Sequence, residues 1–104
     1  MITFEDAYGR DVLRLGMGKT RPGSEGPVRM LKLRNRSPKP LNLKLEAPGG
    51  PENRTLLSHD GARYREYLIV RIKEWGATVI YLRWAPDMNS QPGKYSWKLK
   101  CMEV

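Results

Sequence analysis

Through residues 67–102 apolar and polar side chains trade places at every second position, which is the period of an extended chain and not of a helix. In 67–72, Leu68, Val70 and Ile72 stand against Tyr67, Ile69 and Arg71. In 78–84, Ile80, Leu82 and Trp84 stand against Val79, Tyr81 and Arg83. In 94–102, Tyr95, Trp97, Leu99 and Cys101 alternate with Lys94, Ser96, Lys98 and Lys100. The first two runs are rich in β-branched and aromatic residues, which pack well on a pleated surface. Glu74-Trp75-Gly76 reads as the turn between them, with Gly76 free to take a positive φ. Pro86 and Gly93 interrupt the chain before the third run.

The first half is less regular. Residues 28–35 predict a strand, with Leu31 and Leu33 opposed by Lys32 and Arg34; Val28 and Met30 fall on the other parity, which predicts a bulge or a change of partner near Met30. Leu41, Leu43 and Leu45 against Asn42, Lys44 and Glu46 give a clean strand over 41–46, ended by Ala47-Pro48-Gly49-Gly50-Pro51. Residues 1–10, with Ile2, Phe4 and Tyr8 among acids, suit an edge strand or an arm, followed by a turn at Gly9-Arg10-Asp11 and a short strand over 11–15. Six glycines and prolines between 16 and 27 forbid a helix or regular strand there, so a mobile loop is expected. Residues 52–62 are polar apart from Leu56 and Leu57, and read as a loop or one helical turn. No segment forms a convincing amphipathic helix. About seven short strands separated by Gly- and Pro-containing turns predict an all-β chain, a two-sheet antiparallel sandwich.

Composition narrows the class. A chain of 104 residues, 39% hydrophobic and 29% charged, fits one globular domain. No apolar run approaches the roughly 20 residues that cross a bilayer, so no membrane is expected. The start, Met1 to Asp6, lacks the basic-then-apolar pattern of a signal peptide, so cytoplasmic synthesis is expected. Cys101 is alone, excludes an internal disulfide, and points inward by its parity. The 19 Lys and Arg against 11 Asp and Glu leave a net charge of +8, spread along the chain, which favours an anionic partner.

The chemical motifs fail on spacing. Gly16-Met17-Gly18-Lys19-Thr20 suggests a phosphate loop, but that motif needs a glycine where Leu13 stands and a helix where Arg21-Pro22-Gly23 follow. Ser58-His59-Asp60 holds the residue types of a nucleophilic triad, yet neighbours in sequence cannot set nucleophile, base and acid in line; a turn ending at Gly61 is the better reading. His59 is the sole histidine and no cysteine cluster accompanies it, so no metal is expected. Asn35-Arg36-Ser37 and Asn53-Arg54-Thr55 match the N-glycosylation pattern, but without a secretory route they read as turn chemistry. No catalytic pair of carboxylates is recognisable, and no cofactor is expected.

The succession of 28–35 closing in Asn35-Arg36-Ser37, then 41–46, then Gly76 to Trp84 ending before Pro86, then Gly93-Lys94-Tyr95 opening the last run, resembles immunoglobulin-like modules. The resemblance covers about residues 28–102 and implies an immunoglobulin-like sandwich that binds proteins or glycans, or builds assemblies, without catalysis. The chain lacks the paired cysteines of antibody-type domains. In style it is similar to bacteriophage virion accessory proteins, which implies a capsid or tail protein as partner and the virion as a destination.

If the strands followed immunoglobulin order, 41–46, 78–84 and 94–102 would lie side by side. Their outward residues Lys44, Tyr81, Arg83, Lys98 and Lys100 would then form a basic, aromatic sheet face, with Tyr67 and Ile69 as a second contact patch. Trp84 and Trp97 are expected in the core and Trp75 partly exposed. The expected function is therefore a structural or protein-binding module with an acidic protein partner. Self-association is a further possibility, and the alternative is nucleic-acid binding on the same face.

Overall fold

The computed structural model describes residues 2–47 and 54–104. Seven strands run in chain order: β1 Ile2–Glu5, β2 Arg29–Asn35, β3 Leu41–Glu46, β4 Thr55–Ser58, β5 Tyr67–Ile72, β6 Ala77–Trp84 and β7 Lys100–Glu103. They form two antiparallel sheets, one ordered β1-β2-β6-β4 and the other β5-β3-β7. The alternation in the sequence is the cause. Leu31, Leu33, Leu57, Ile80 and Leu82 from the first sheet meet Leu43, Leu45, Leu68, Val70 and Ile72 from the second in one core. Burying each such side chain contributes about 1.5–3 kcal/mol, enough for a single domain of this size to hold two sheets together.

Both β3 and β5 occupy the stretches expected of them, and β2 and β6 differ from expectation by a residue. The 1–10 segment supplies an edge strand paired to β2. Other expectations are corrected. The 94–102 run is a strand only from Lys100, which stands opposite Glu46, the last residue of its partner β3. Its alternation survives without a ladder: Tyr95, Trp97 and Leu99 are half-buried while Lys94, Ser96 and Lys98 are exposed. The Trp84 ring holds this stretch, 5.9 Å from Tyr95 and 6.2 Å from Trp97.

Residues 55–58, expected in a loop, are strand β4, since Thr55 and Leu57 add to the inner face opposite Trp84 and Leu82. The 11–15 segment makes one bridge, Asp11 to Glu5, and no strand; Leu13 is 97% exposed. No bulge interrupts β2, whose register with β6 is continuous from Arg29 opposite Leu82 to Arg34 opposite Ala77. Met30 simply faces outward beside Tyr81. In the β5–β6 turn it is Trp75, not Gly76, that takes the positive φ, 56°. Part of the 47–51 strand stop, the start of the 52–62 loop and Asn53 lie outside the described residues.

Strand neighbours also differ from the immunoglobulin expectation. In antibody-type domains strands A, B, E and D form one sheet and C, F and G the other. Here the sixth strand lies beside the second, and the third is central in the smaller sheet. So β6 and β3 are in different sheets, and their outward residues lie on opposite sides of the molecule.

Candidate binding surface

The outer face of the smaller sheet is built by the even positions of β3 and the odd positions of β5. Lys44 stands opposite Ile69, Asn42 opposite Arg71 and Glu46 opposite Tyr67, with Met102 and Lys100 of β7 beside Lys44 and Glu46. The Lys44 ammonium lies 5.0 Å from the centre of the Tyr67 ring, and Lys100 reaches Glu46 at 3.9 Å. Tyr67 and Ile69 are 47% and 58% exposed, because Leu68, Val70 and Ile72 already face the core. This strand cannot bury both sets.

Beside Tyr67 and Ile69 opens a hollow of ≈ 350 Å³, lined also by His59, Asp60, Arg63 and Arg65. The wall is fixed by the turn after β4. Ser58 Oγ donates to Asp60 Oδ1 at 2.9 Å, and the same carboxylate oxygen accepts from the backbone N–H of Ala62 at 2.8 Å and of Arg63 at 3.0 Å. Those bonds, the Arg63 amide first, hold the Asp60 carboxyl well below its ordinary range. It stays ionised and is occupied within its own turn. Gly61, at φ 77°, lies over the Tyr81 ring with its nearest ring atoms 3.7 Å from a Cβ position. The residues read as a failed triad are thus a turn that aims two arginines.

The expected basic face does not assemble. Lys44, Tyr67, Ile69 and Lys100 share the outer side of the smaller sheet, whereas Tyr81 and Arg83 face outward from the larger sheet. Lys98 is exposed in the irregular stretch before β7. Arg83 is engaged by its own chain on that outer side. It donates to Gly26 O at 3.1 and 3.0 Å, pairs with Glu25 at 2.9 Å, and lies 5.6 Å from the Tyr64 ring centre. With Gly26 N–H bonded to Trp84 O at 2.7 Å and Gly23 N–H to Pro86 O at 2.9 Å, it ties the 16–27 loop to β6 and the chain beyond it.

Sequence reasoning missed His59, Arg63, Arg65 and Arg71 as members of the surface. Arg71 was legible from strand parity; the other three depend on how a turn folds back, which no periodicity encodes. Among the described residues His, Cys, Asp and Glu form no group of three that could hold a metal ion, and no helix is long and apolar enough to cross a membrane. Cys101 is half-buried opposite Leu45, and burial pushes its thiol pKa up. Comparison with protein-family profiles, with curated proteins and with solved structures gives no match.

Proposed function

We propose that this chain is a non-catalytic binding module, an accessory part of a larger protein assembly of which a phage particle would be one example. Its docking surface is the outer face of the smaller sheet. The observation that carries this reading is the pair Tyr67 and Ile69, left exposed on a regular ladder among Lys44, Arg71 and Lys100. Apolar groups fixed in place by a strand bind with little loss of conformational entropy, and the surrounding cations select an acidic partner and make association salt-sensitive. Tyr81 and Arg83 are left out of the site because they hold the 16–27 loop and the 58–64 turn.

A photo-crosslinking phenylalanine analogue at position 69, compared with one at Met88, which is 80% exposed elsewhere, tests this in the native assembly. Adducts from position 69 alone are expected; adducts from position 88 alone, or none from 69, count against the surface. Nucleic acid is the second reading, favoured by the guanidinium groups of Arg63 and Arg65 beside an exposed ring. A gel-shift titration at two salt concentrations separates it, because phosphate neutralisation gives a steep salt slope on random-sequence DNA.

A further inference from the structure

We propose that the open edge of β5 is a strand-addition site that takes an extended, acidic segment of another protein. This rests on the protein-docking reading above and specifies how the partner is held.

The direction of the β5 amides follows from the ladder. In an antiparallel sheet each residue turns both its N–H and its C=O toward one neighbour, and successive residues alternate. Val104 N–H donates to Asn42 O at 2.9 Å, so Asn42 faces the β7 side. Leu41, Leu43 and Leu45 therefore face β5, where Ile72, Val70 and Leu68 stand opposite them. Tyr67, Ile69 and Arg71 are left turning their N–H and C=O away from β3, on the side where the sheet has no further strand among the described residues. The residues with exposed side chains are also those with outward amides.

Other edges are shorter or closed. At β4, Leu57 and Arg65 exchange both backbone bonds, at 2.7 and 2.8 Å. At β1, Val12 N–H donates to Phe4 O at 2.8 Å, and Glu5 bridges to Asp11. Strand β7 has four residues against six in β5. Natural sheets blunt exposed edges with charges, prolines or bulges; Tyr67–Ile72 carries Arg71 alone. Tyr67, Leu68 and Ile69 line the hollow, so the first half of this strand borders open space.

Charge selects the occupant. Arg63 and Arg65 line the hollow, Arg71 continues along the strand and Lys44 stands beside it on β3; the nearby acids are Asp60, occupied by its own turn, Glu46, opposite Tyr67 and 3.9 Å from Lys100, and Glu66, next to Tyr67 in the chain. A second copy would bring a further net charge of +8 to a chain that already carries +8. An acidic segment is attracted, and a strand gives it main-chain bonds plus alternate side chains against Tyr67, Ile69 and Arg71.

The test uses the full chain, isotope-labelled, with an acetylated and amidated peptide of four Glu-Val repeats at about 20 mM salt, where charges act over a long range. Expected is slower hydrogen exchange, by about tenfold or more, at the amides of Tyr67, Ile69 and Arg71, while Leu68, Val70 and Ile72 are already protected in the free chain. The double variant Arg63→Glu/Arg65→Glu, which keeps the Arg65 backbone pairing, is expected to weaken the peptide by about tenfold or more. Ile69→Pro removes one outward N–H, leaves the ladder to β3 intact, and is expected to weaken it too. Peptide binding without protection of those three amides overturns strand addition while leaving face docking intact, and so does absence of binding at about 1 mM peptide. Equal affinity for a Lys-Val peptide overturns the acidic partner. Protection of the same amides by a single-stranded oligonucleotide overturns the partner class. Loss of the position-69 crosslink in the native assembly, by contrast, sinks the parent reading.

Discussion

Asn35 closes β2 on the inner side, where a leucine would continue the apolar pattern. It is fully buried, and its amide N–H groups reach Lys39 O at 2.7 Å, Lys73 O at 3.1 Å and Ile72 O at 3.2 Å, while its Oδ1 accepts from Ser37 N–H at 3.1 Å. Three carbonyls around one nitrogen fix the orientation of the amide. They also bind together the ends of β2 and β5 and the 36–40 turn. Asn35→Ala removes these bonds and takes the acceptor from Ser37 N–H, although Lys39 O keeps Ser37 Oγ and Lys73 O keeps Gly76 N–H, so it should lower stability by about 1–3 kcal/mol in urea unfolding with an unchanged m-value. Trp75 shows the opposite. It is 63% exposed yet held at φ 56°, a region that costs an ordinary side chain roughly 1–2 kcal/mol. Asparagine tolerates that conformation, so Trp75→Asn should stabilise the chain by about 0.5–1 kcal/mol in the same assay.

At the scale of elements, β1 is held to the larger sheet partly by a carboxylate. Glu5 is buried on the outer side, its oxygens accepting from Arg34 Nε at 3.0 and 3.2 Å and from Arg36 at 3.1 Å. The Arg34 hydrogen bond, against the opposing effect of burial, holds the Glu5 carboxyl below its ordinary 4.5, and the Arg63 and Ala62 amides do the same for Asp60 below 3.8. With folded values depressed, the unfolded chain binds the extra protons on acidification. The stabilisation is therefore complete above about pH 5 and drains as pH falls toward the folded values. Thermal unfolding should show a Tm flat from pH 7 to about 5 and falling below, and Glu5→Gln should lower Tm at pH 7 while making the acid decline shallower. A slope equal to that of the parent would remove Glu5 from this account. Periodicity made β3, β5 and most of β2 and β6 legible, because each alternates for six residues or more against a solvated face. It could not find β4, whose four residues are too short to carry a period, nor Glu5, whose burial depends on arginines 29 and 31 residues away. In 94–99 the pattern was real and the inference from it wrong: Tyr95 and Trp97 turn to the Trp84 ring and Leu99 to the core while their neighbours face solvent, but among the described residues this stretch pairs with no strand.

For the whole molecule, what remained illegible was which sheet each strand joins. Alternation tells which side chains of a strand face inward; it says nothing about its neighbours, and an assumed order placed Tyr81 and Arg83 beside Lys44 when they belong to the opposite face. Tyr67 and Ile69 survived because their exposure depends on their own strand's parity alone. Net charge is a property at this scale as well, and it sets two responses with opposite signs. A folded chain at +8 repels itself, so raising salt from about 0.01 to 0.15 M, which shortens the screening length from roughly 30 to 8 Å, should raise Tm. The same screening removes attraction between Arg63, Arg65 and Arg71 and an acidic partner, so association should weaken over the same range, mainly through a slower on-rate. Calorimetry and binding kinetics on one sample series measure both. A Tm that falls with salt would mean that ion pairs such as Arg83–Glu25 and Arg34–Glu5 outweigh the net repulsion, and binding that ignores salt would remove charge from partner selection.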